Sequence, residues 1–326
     1  MRDSGDERDC VIALDVGGTS MKGALLDRDL KSLRTVRRAT PRRSGPDAVI
    51  TEIAATLRGL DRSAAERGLA VRSVGLAVPG IVDEERATAV HSANLGWRDV
   101  PSAAFLEGTS GLPVALEHDV RAGGAAECRL GAGRGAQNVL FVPVGTGISA
   151  AVFCDGRPVR AGGYAGELGH VVVEPDGEAC ACGARGCLET VASAAAIASA
   201  YGARSGRQVD GAAAVAAQLS HGDPDAQAVW DRAVEALATA LASAVTLLAP
   251  EVVVLGGGLA EAGSRLLDPL RLSLARRLTF QREPKLVRAA LGDLAGCLGA
   301  GLSAWHAAND ARTPRRRPQT SAVPTS

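Results

Sequence analysis

The sequence predicts an α/β protein of two lobes facing each other across a cleft. Three segments carry this expectation. CVIALDVGGT (Cys10 to Thr19) and NVLFVPVGTG (Asn138 to Gly147) each run from apolar residues into a small glycine-containing turn. Each is followed by a second apolar stretch, MKGALLD and SAAVFCDGRPV, as the return strand of a hairpin would be. The third, EVVVLGGGLAEAG, reads as a buried strand that ends in three glycines and leads into a helix. With 326 residues, 46% of them hydrophobic, the chain can fill two moderate cores.

Taken in order, residues 1–9 are polar and charged and are expected to form a disordered leader, with the first α/β lobe spanning 10–119. A helix is expected over Asp47 to Gly68. LPVALEHDVRAGGAAE (Leu112 to Glu127) reads as a short strand ending at Glu117-His118-Asp119, followed by a helix. Asp119 is then either the N-cap of that helix or a carboxylate presented at the mouth of the lobe, where a general base would stand. The second lobe is expected over 120–295. Its long helix, Asp225 to Ala249, carries Val229, Trp230, Val234, Leu237, Leu241, Val245 and Leu248 at helical spacing and stops at Pro250. A last helix, about 296–309, is expected to complete the first lobe. From Asp310 the sequence DARTPRRRPQTSAVPTS has almost nothing apolar to bury and reads as a disordered tail.

Composition excludes several classes of function. Lys plus Arg equals Asp plus Glu at 36 each, so no global field attracts nucleic acid or an anionic membrane. The N-terminal residues lack the apolar stretch of a secretory signal, and the longest apolar candidate, 240–255, is broken by Pro250-Glu251. A cytoplasmic location is expected. Seven cysteines, an odd number with three inside eight positions, fit a reducing compartment better than disulfides, and the cluster calls for a metal.

That cluster lies in GELGHVVVEPDGEACACGARGCLE (Gly166 to Glu189), where His170, Cys180, Cys182 and Cys187 form the donor set of a closed, structural zinc site. Glu167, three residues before His170, would be aimed by the same anchored loop. The remaining cysteines, Cys10, Cys128, Cys154 and Cys297, stand in apolar surroundings and are expected in the core. The turns Gly17-Gly18-Thr19 and Gly145-Thr146-Gly147 suit phosphate, because bare backbone N–H groups can wrap an anion and a threonine hydroxyl adds a donor. Neither is a Walker A loop, which needs G-x-x-x-x-G-K-[ST] opening a helix. Asp15, just before the first turn, could hold a water of Mg²⁺. Gly256, Gly257 and Gly258 form a third place where backbone can approach a ligand.

In chain order, LDVGGTSMKGALLD, VPGIVD, ANLGWRDVP, LPVALEHDVRAGGAAE, VGTGISAAV, AGELGHVVV, CACGARGCLET and VVVLGGGLA closely resemble the ROK family of bacterial sugar kinases and sugar-responsive repressors. The likeness runs from about Val11 to Ala307. It implies a two-lobed actin/hexokinase-like ATPase fold with nucleotide and sugar in the interlobe cleft, and a homodimer or homotetramer. By the same resemblance Asp119 would be the general base, while Gly80, Asn94, His118, Glu167, His170 and Glu189 would bind the sugar. Asp15, Gly17, Gly18, Thr19, Lys22, Gly145, Thr146 and Gly147 would surround the phosphates of ATP with Mg²⁺, and Gly256 to Gly258 would lie at the adenosine. The repressors of the family carry a helix-turn-helix domain ahead of the first phosphate turn, where this sequence has about ten residues, so the resemblance implies a kinase. Glucose is the expected acceptor, with N-acetylmannosamine, allose and fructose as alternatives, polyphosphate as an alternative donor, and a non-catalytic sugar sensor as the rival. One departure stands next to the base. Family kinases usually have Asn before the catalytic Asp, where this chain has His118, whose protonation is expected to cost activity at low pH.

Overall fold

Each half of the chain builds the same sheet from a three-stranded antiparallel meander continued by two parallel strands. A computed structural model describes residues 8–312. The first half contains β1 (Asp9–Val16), β2 (Ser20–Leu26), β3 (Ser32–Ala39), α1 (Pro46–Glu66) and β4 (Ala70–Val78). A small antiparallel cap sheet follows, made of β5 (Ile81–Asp83), β6 (Thr88–Ser92) and β7 (Trp97–Val100), and then α2 (Ser102–Ser110), β8 (Val114–His118) and α3 (Asp119–Leu130). The second half opens with β9 (Val139–Pro143), β10 (Ala151–Cys154) and β11 (Arg157–Pro158). Helices α4 (Leu188–Ala192), α5 (Ala194–Ser205), α6 (Gly211–Leu219) and α7 (Pro224–Leu248) lead to β12 (Val252–Gly256). The chain closes with α8 (Gly257–Ala260), α9 (Ser264–Ala275), β13 (Lys285–Arg288) and α10 (Ala295–Arg312).

The sheet orders are β3-β2-β1-β4-β8 and β11-β10-β9-β12-β13, so the two lobes repeat one topology. In each, the first strand pairs antiparallel with its hairpin partner and parallel with the strand on its other side. Strands with parallel neighbours are covered on both faces and need no alternation of apolar and polar residues. β12, VVVLG, is buried at every position. On one face of the first sheet, β1 and β4 pack against Val49, Ile53, Leu57, Leu60 and Ala64, which recur along one side of α1. On the other face Val11, Ala13, Ala24 and Ala77 meet Ala300, Ala304, Trp305 and Ala308 of α10. The chain's last described helix thus roofs its first sheet. Two bonds fix it there: Ser73 Oγ donates to Ala304 O at 2.6 Å, and Trp305 Nε1 donates to Asp27 O at 2.9 Å. In the second lobe, α4 to α9 cover one sheet face, while α3 lies against Phe141 and Phe153 on the other.

The long helix α7 begins at Asp223, whose carboxylate accepts the N–H groups of Asp225 and Ala226, and ends at Ala249 in a left-handed conformation before Pro250. At both ends of the described chain the order extends further than composition suggests. Asp9, expected in the leader, is a buried β1 residue whose carboxylate pairs with Arg72 Nε at 2.6 Å and Arg28 Nη2 at 3.1 Å. Residues 1–7 lie outside the described residues. α10 continues through Arg312, so the expected tail starts inside a helix, and 313–326 lie outside the description. Cys10 and Cys297 are buried, whereas Cys128 and Cys154 are only partly so. Among the described residues no helix is long and apolar enough to cross a membrane.

Candidate active site in the interlobe cleft

Open α/β sheets present functional groups beyond the C-terminal ends of their parallel strands. Here both sheets end on one cleft. Pro79 and Gly80 follow β4, Asp119 follows β8, Gly145 and Gly147 follow β9, and Gly257 follows β12; together they line a cavity of about 330 Å³. Asn94 reaches it from the β6–β7 connection, Glu167 and His170 from the segment after β11, and Glu189 from α4. All six residues expected at the sugar, namely Gly80, Asn94, His118, Glu167, His170 and Glu189, therefore share one wall system with Asp119.

Asp119 is the first residue of α3, so the N-cap position belongs to His118 and no side chain caps the helix. The alternative role of Asp119 as N-cap is not what the structure shows. Its Oδ1 accepts the Val120 N–H at 2.7 Å and lies 3.3 Å from His118 Nε2. Burial pushes the Asp119 carboxyl up to about 6, while the Val120 N–H and the Arg121 guanidinium pull it back. It is ionised at neutral pH yet only modestly hydrogen-bonded. That is the condition in which a carboxylate can take a proton.

The His118 imidazole is moved the other way. Burial first, then the nearby Arg121 cation, lower it to about 3, against the opposing pull of Glu84. The expected low-pH protonation of His118 is thus corrected: the ring stays neutral because little solvent reaches it to stabilise a cation and Arg121 opposes one. Since a carboxylate only accepts, the proton is assigned to Nε2 facing Asp119. Nδ1 is buried and has no hydrogen-bond partner.

Asp15 stands at the end of β1, its carboxyl pushed up to about 6 by burial and by the charge of Asp119, against Lys22. Lys22 is its register partner on β2, 3.9 Å from Asp15 Oδ2. The lysine's closer partner is Asp293, whose carbonyl and Oδ1 both lie at 2.7 Å. Asp15 and Lys22 do not line the cavity. Gly17 closes its hairpin by donating to Ser20 O at 3.0 Å, Gly18 lies against the Asn94 side chain, and Thr19 is exposed. The second turn is held by Gly145 N–H to Gly147 O at 2.9 Å and by Ile148 N–H to Glu189 Oε2 at 2.8 Å, leaving Thr146 exposed. The glycine triplet divides: Gly256 ends β12, Gly257 lines the main cavity, and Gly258 lines a neighbouring hollow of about 230 Å³ walled by alanines of α6, Trp230 and Arg265.

The four donor atoms of His170, Cys180, Cys182 and Cys187 lie within 4.8 Å of one another. His170 Nδ1 is 3.7 Å from Cys180 Sγ, and Cys182 Sγ is 3.6 Å from Cys187 Sγ. Ligands at roughly 2.0–2.3 Å around a tetrahedral zinc would be separated by about 3.5–3.8 Å, so the donor set fits such an ion. Gly186 is needed here, since at φ 68° an added Cβ would sit 1.5 Å from Glu174 O. That closeness lets the Val173 and Glu174 N–H groups both donate to Gly186 O and fold the loop back on itself. His170 turns Nδ1 to the cysteines and Nε2 to the cleft, 3.9 Å from Glu167 Oε2.

Some lining residues were not anticipated. Pro79, Pro143 and Ser149 belong to the cavity, the two prolines because they terminate strands that point into it. Glu84, Glu117, Arg121 and Arg160 form a charged cluster beside the base, with Arg121 only 1% exposed. Its one sequence signal is a set of charges inside segments that otherwise read as core.

Two like-built lobes whose strand ends and glycine turns meet at one cavity define the two-lobed ATPase fold of the actin/hexokinase kind. Within that class, the chain belongs to the ROK family, whose pattern matches residues 11–307. It is 36% identical over 307 residues to a glucokinase of Thermotoga maritima, covering 89% of this chain and 95% of that one. A ROK family glucokinase from Streptomyces griseus, solved in complex with glucose and AMPPNP, superposes with a TM-score of 0.78 at 30% identity, covering 91% of this chain and 99% of that one. A ROK family transcriptional regulator, a homologue of the E. coli MLC protein, superposes with a TM-score of 0.85 at 25% identity, covering 94% of this chain and 80% of that one.

A carboxyl whose folded value is raised destabilises the fold once it ionises, so the strain on Asp119 is absent below about 4 and complete above about 6. Asp119→Asn keeps the acceptor for Val120 without the charge. It should gain about 1–3 kcal/mol of stability at pH 8 and nothing at pH 4, measured by urea denaturation at both values.

Proposed function

We propose that the chain is an ATP-dependent hexose kinase, specifically a glucokinase that phosphorylates the 6-hydroxyl of glucose with Asp119 as general base. The observation that carries this is the position of Asp119: an ionised, weakly bonded carboxylate between a polar cavity and two glycine turns. The relatives that carry the name glucokinase, one of them with glucose and an ATP analogue bound, support the same activity. In this reading Gly80, Asn94, His118, Glu167, His170 and Glu189 hold the sugar hydroxyls. The turns Gly17 to Thr19 and Gly145 to Gly147 cradle the phosphates, and the hollow beside Gly258 takes the adenosine.

Phosphoryl transfer passes through a loose transition state, so alignment and charge stabilisation do most of the catalysis. Asp119 accepts the proton of the attacking hydroxyl. The neutral His118 faces Asp119 with Nε2 at 3.3 Å and presents its ring edge to the sugar. Lys22 adds positive charge near the first turn, and Asp15 would hold a water of Mg²⁺, which would supply neutralisation of phosphate charge. His170, Cys180, Cys182 and Cys187 would hold a structural zinc that anchors the loop bearing Glu167 and Glu189.

The likeness to a transcriptional regulator favours a second reading, a sugar-responsive protein without transfer activity. A coupled assay for ADP release over a panel of hexoses separates the two. Sugar-stimulated ADP with glucose as the best acceptor is expected; sugar binding without it would leave the regulator.

Three variants extend the test. Asp119→Asn should lower turnover by about 10²-fold or more while changing glucose affinity little, and the wild-type acid limb should have its midpoint near 6. Wild-type turnover in that variant would remove Asp119 from the mechanism. His118→Asn should leave this limb in place, because the imidazole is already neutral there, and should change the relative kcat/KM among epimeric hexoses by roughly 5- to 150-fold. Unchanged preference would place His118 outside sugar recognition. Elemental analysis should find one zinc per chain, lost in Cys182→Ser together with much of the glucose affinity; a metal-free, fully active wild type would dispose of the zinc site.

A further inference from the structure

Beside the cavity, two carboxylates and two guanidiniums form a cluster that spans the lobes. Arg121 acts on Asp119 and His118, and Glu84 on His118, through their charge, whereas Glu117 and Arg160 have no role in the chemistry above. Glu84, the residue after β5, places Oε1 2.7 Å from Arg121 Nε, and its Oε2 accepts from Arg160 Nε. The Glu84 and Arg121 side chains are 9% and 1% exposed, while that of Arg160 is 47% exposed. Arg160 Nη2 also lies 3.9 Å from Glu117 Oε1, and Glu117 Oε2 accepts from Ser303 Oγ of α10. Burial and the charge of Glu84 push the Glu117 carboxyl up to about 7, against Ser303 and both arginines.

The places of these residues along the chain give the cluster its meaning. Glu117 and Arg121 stand two residues before and two after Asp119. Arg160 opens the turn that leads to the sugar-facing segment: its carbonyl accepts the N–H groups of Gly163 at 2.9 Å and Ala165 at 3.3 Å, and Glu167 and His170 follow. This turn docks on the cap sheet of the other lobe. Gly163, at φ 94°, approaches Val82 so closely that a Cβ would lie 2.4 Å from its carbonyl oxygen. Val82 O also lies 3.4 Å from Arg121 Nη2. Backbone contact and ion pairs thus join the same two segments at the same place.

We propose that Arg160 is a positioning residue: through Glu84 it ties the segment carrying Glu167 and His170 to the helix headed by Asp119, holding the sugar hydroxyl in register with the base. This rests on the hexose kinase reading. A buried pair such as Glu84–Arg121 cannot lose one partner without a large penalty, so neither residue is a clean probe. Arg160 is half exposed, and Arg160→Met keeps its packing while removing the tie. With the tie gone, the sugar-facing segment shifts against the base, and misplacement on the scale of an ångström costs as much as about 10²-fold. Water, an equally competent nucleophile, then competes for the phosphoryl group, which it takes while losing a proton to give inorganic phosphate and ADP.

The test uses the full chain as wild type, Arg160→Met and Arg160→Lys, with three readouts: glucose affinity by calorimetry without nucleotide, glucose 6-phosphate formed per ADP released, and the urea midpoint. Arg160→Met should stay folded, bind glucose about 10-fold more weakly, and form clearly less than one sugar phosphate per ADP. Arg160→Lys, which keeps the cation, should recover most of both. Wild-type affinity and coupling in folded Arg160→Met, or no recovery in Arg160→Lys, overturns the assignment of Arg160 alone. A wild type that phosphorylates no hexose ends the kinase reading and this proposal with it.

Discussion

The cleft is arranged around a carboxylate partly withdrawn from water without being given a counter-ion of its own. A buried acid normally either pairs with a cation or stays protonated. Asp119 does neither at neutral pH. It is raised to about 6, with a single short backbone bond at 2.7 Å and a neutral histidine beside it. The Val120 N–H and, to a lesser extent, Arg121 two residues away oppose the effect of burial, yet the nearest carboxylate to Arg121 is Glu84 at 2.7 Å. The cation is thereby committed elsewhere and does not quench the acid. Such a placement is stable only because the sheets behind it, sealed on both faces, do not let the strand end relax.

The same cation acts on His118. An exposed histidine beside an aspartate would gain proton affinity, whereas this one is held at about 3 by burial and by Arg121. In the proposed mechanism the pair at positions 118 and 119 would combine a neutral imidazole with an acceptor that is charged above about pH 6. His170 makes a similar division within one ring, Nδ1 toward the cysteines and Nε2 toward the cleft. In the proposed reading, structural metal chemistry and ligand recognition would share a side chain.

Features that are local in sequence were legible before any coordinates. The two strand–turn–strand openings, the glycine triplet and the Cys₃His spacing each sit within a few residues, and backbone geometry forces them together. Features that depend on distant partners were not. Asp9 looks like part of a polar leader until Arg72, 63 residues away, is seen to neutralise it. The cap role open to Asp119 depends on where the strand stops, and one residue decides it: β8 runs through His118 and leaves the aspartate inside the helix. The expectation for His118 failed because exposure is a property of packing, which no neighbouring residue reports. Glu84, Arg121 and Arg160 come from three segments, so only their convergence distinguishes them from ordinary surface charge.

The α10 helix has a consequence for how the molecule is made. It supplies the apolar face that covers Val11, Ala13, Ala24 and Ala77, so the first sheet to leave the ribosome is the last to be closed. Translating the stretch from the end of α3 to Arg312 takes on the order of 10 to 40 s at bacterial or eukaryotic rates. Throughout that interval the nascent first lobe carries an open apolar surface, while the strands of the second sheet, β9 to β13, are contiguous in the chain. Vectorial synthesis therefore leaves that face of the N-terminal half uncovered until α10 has been made.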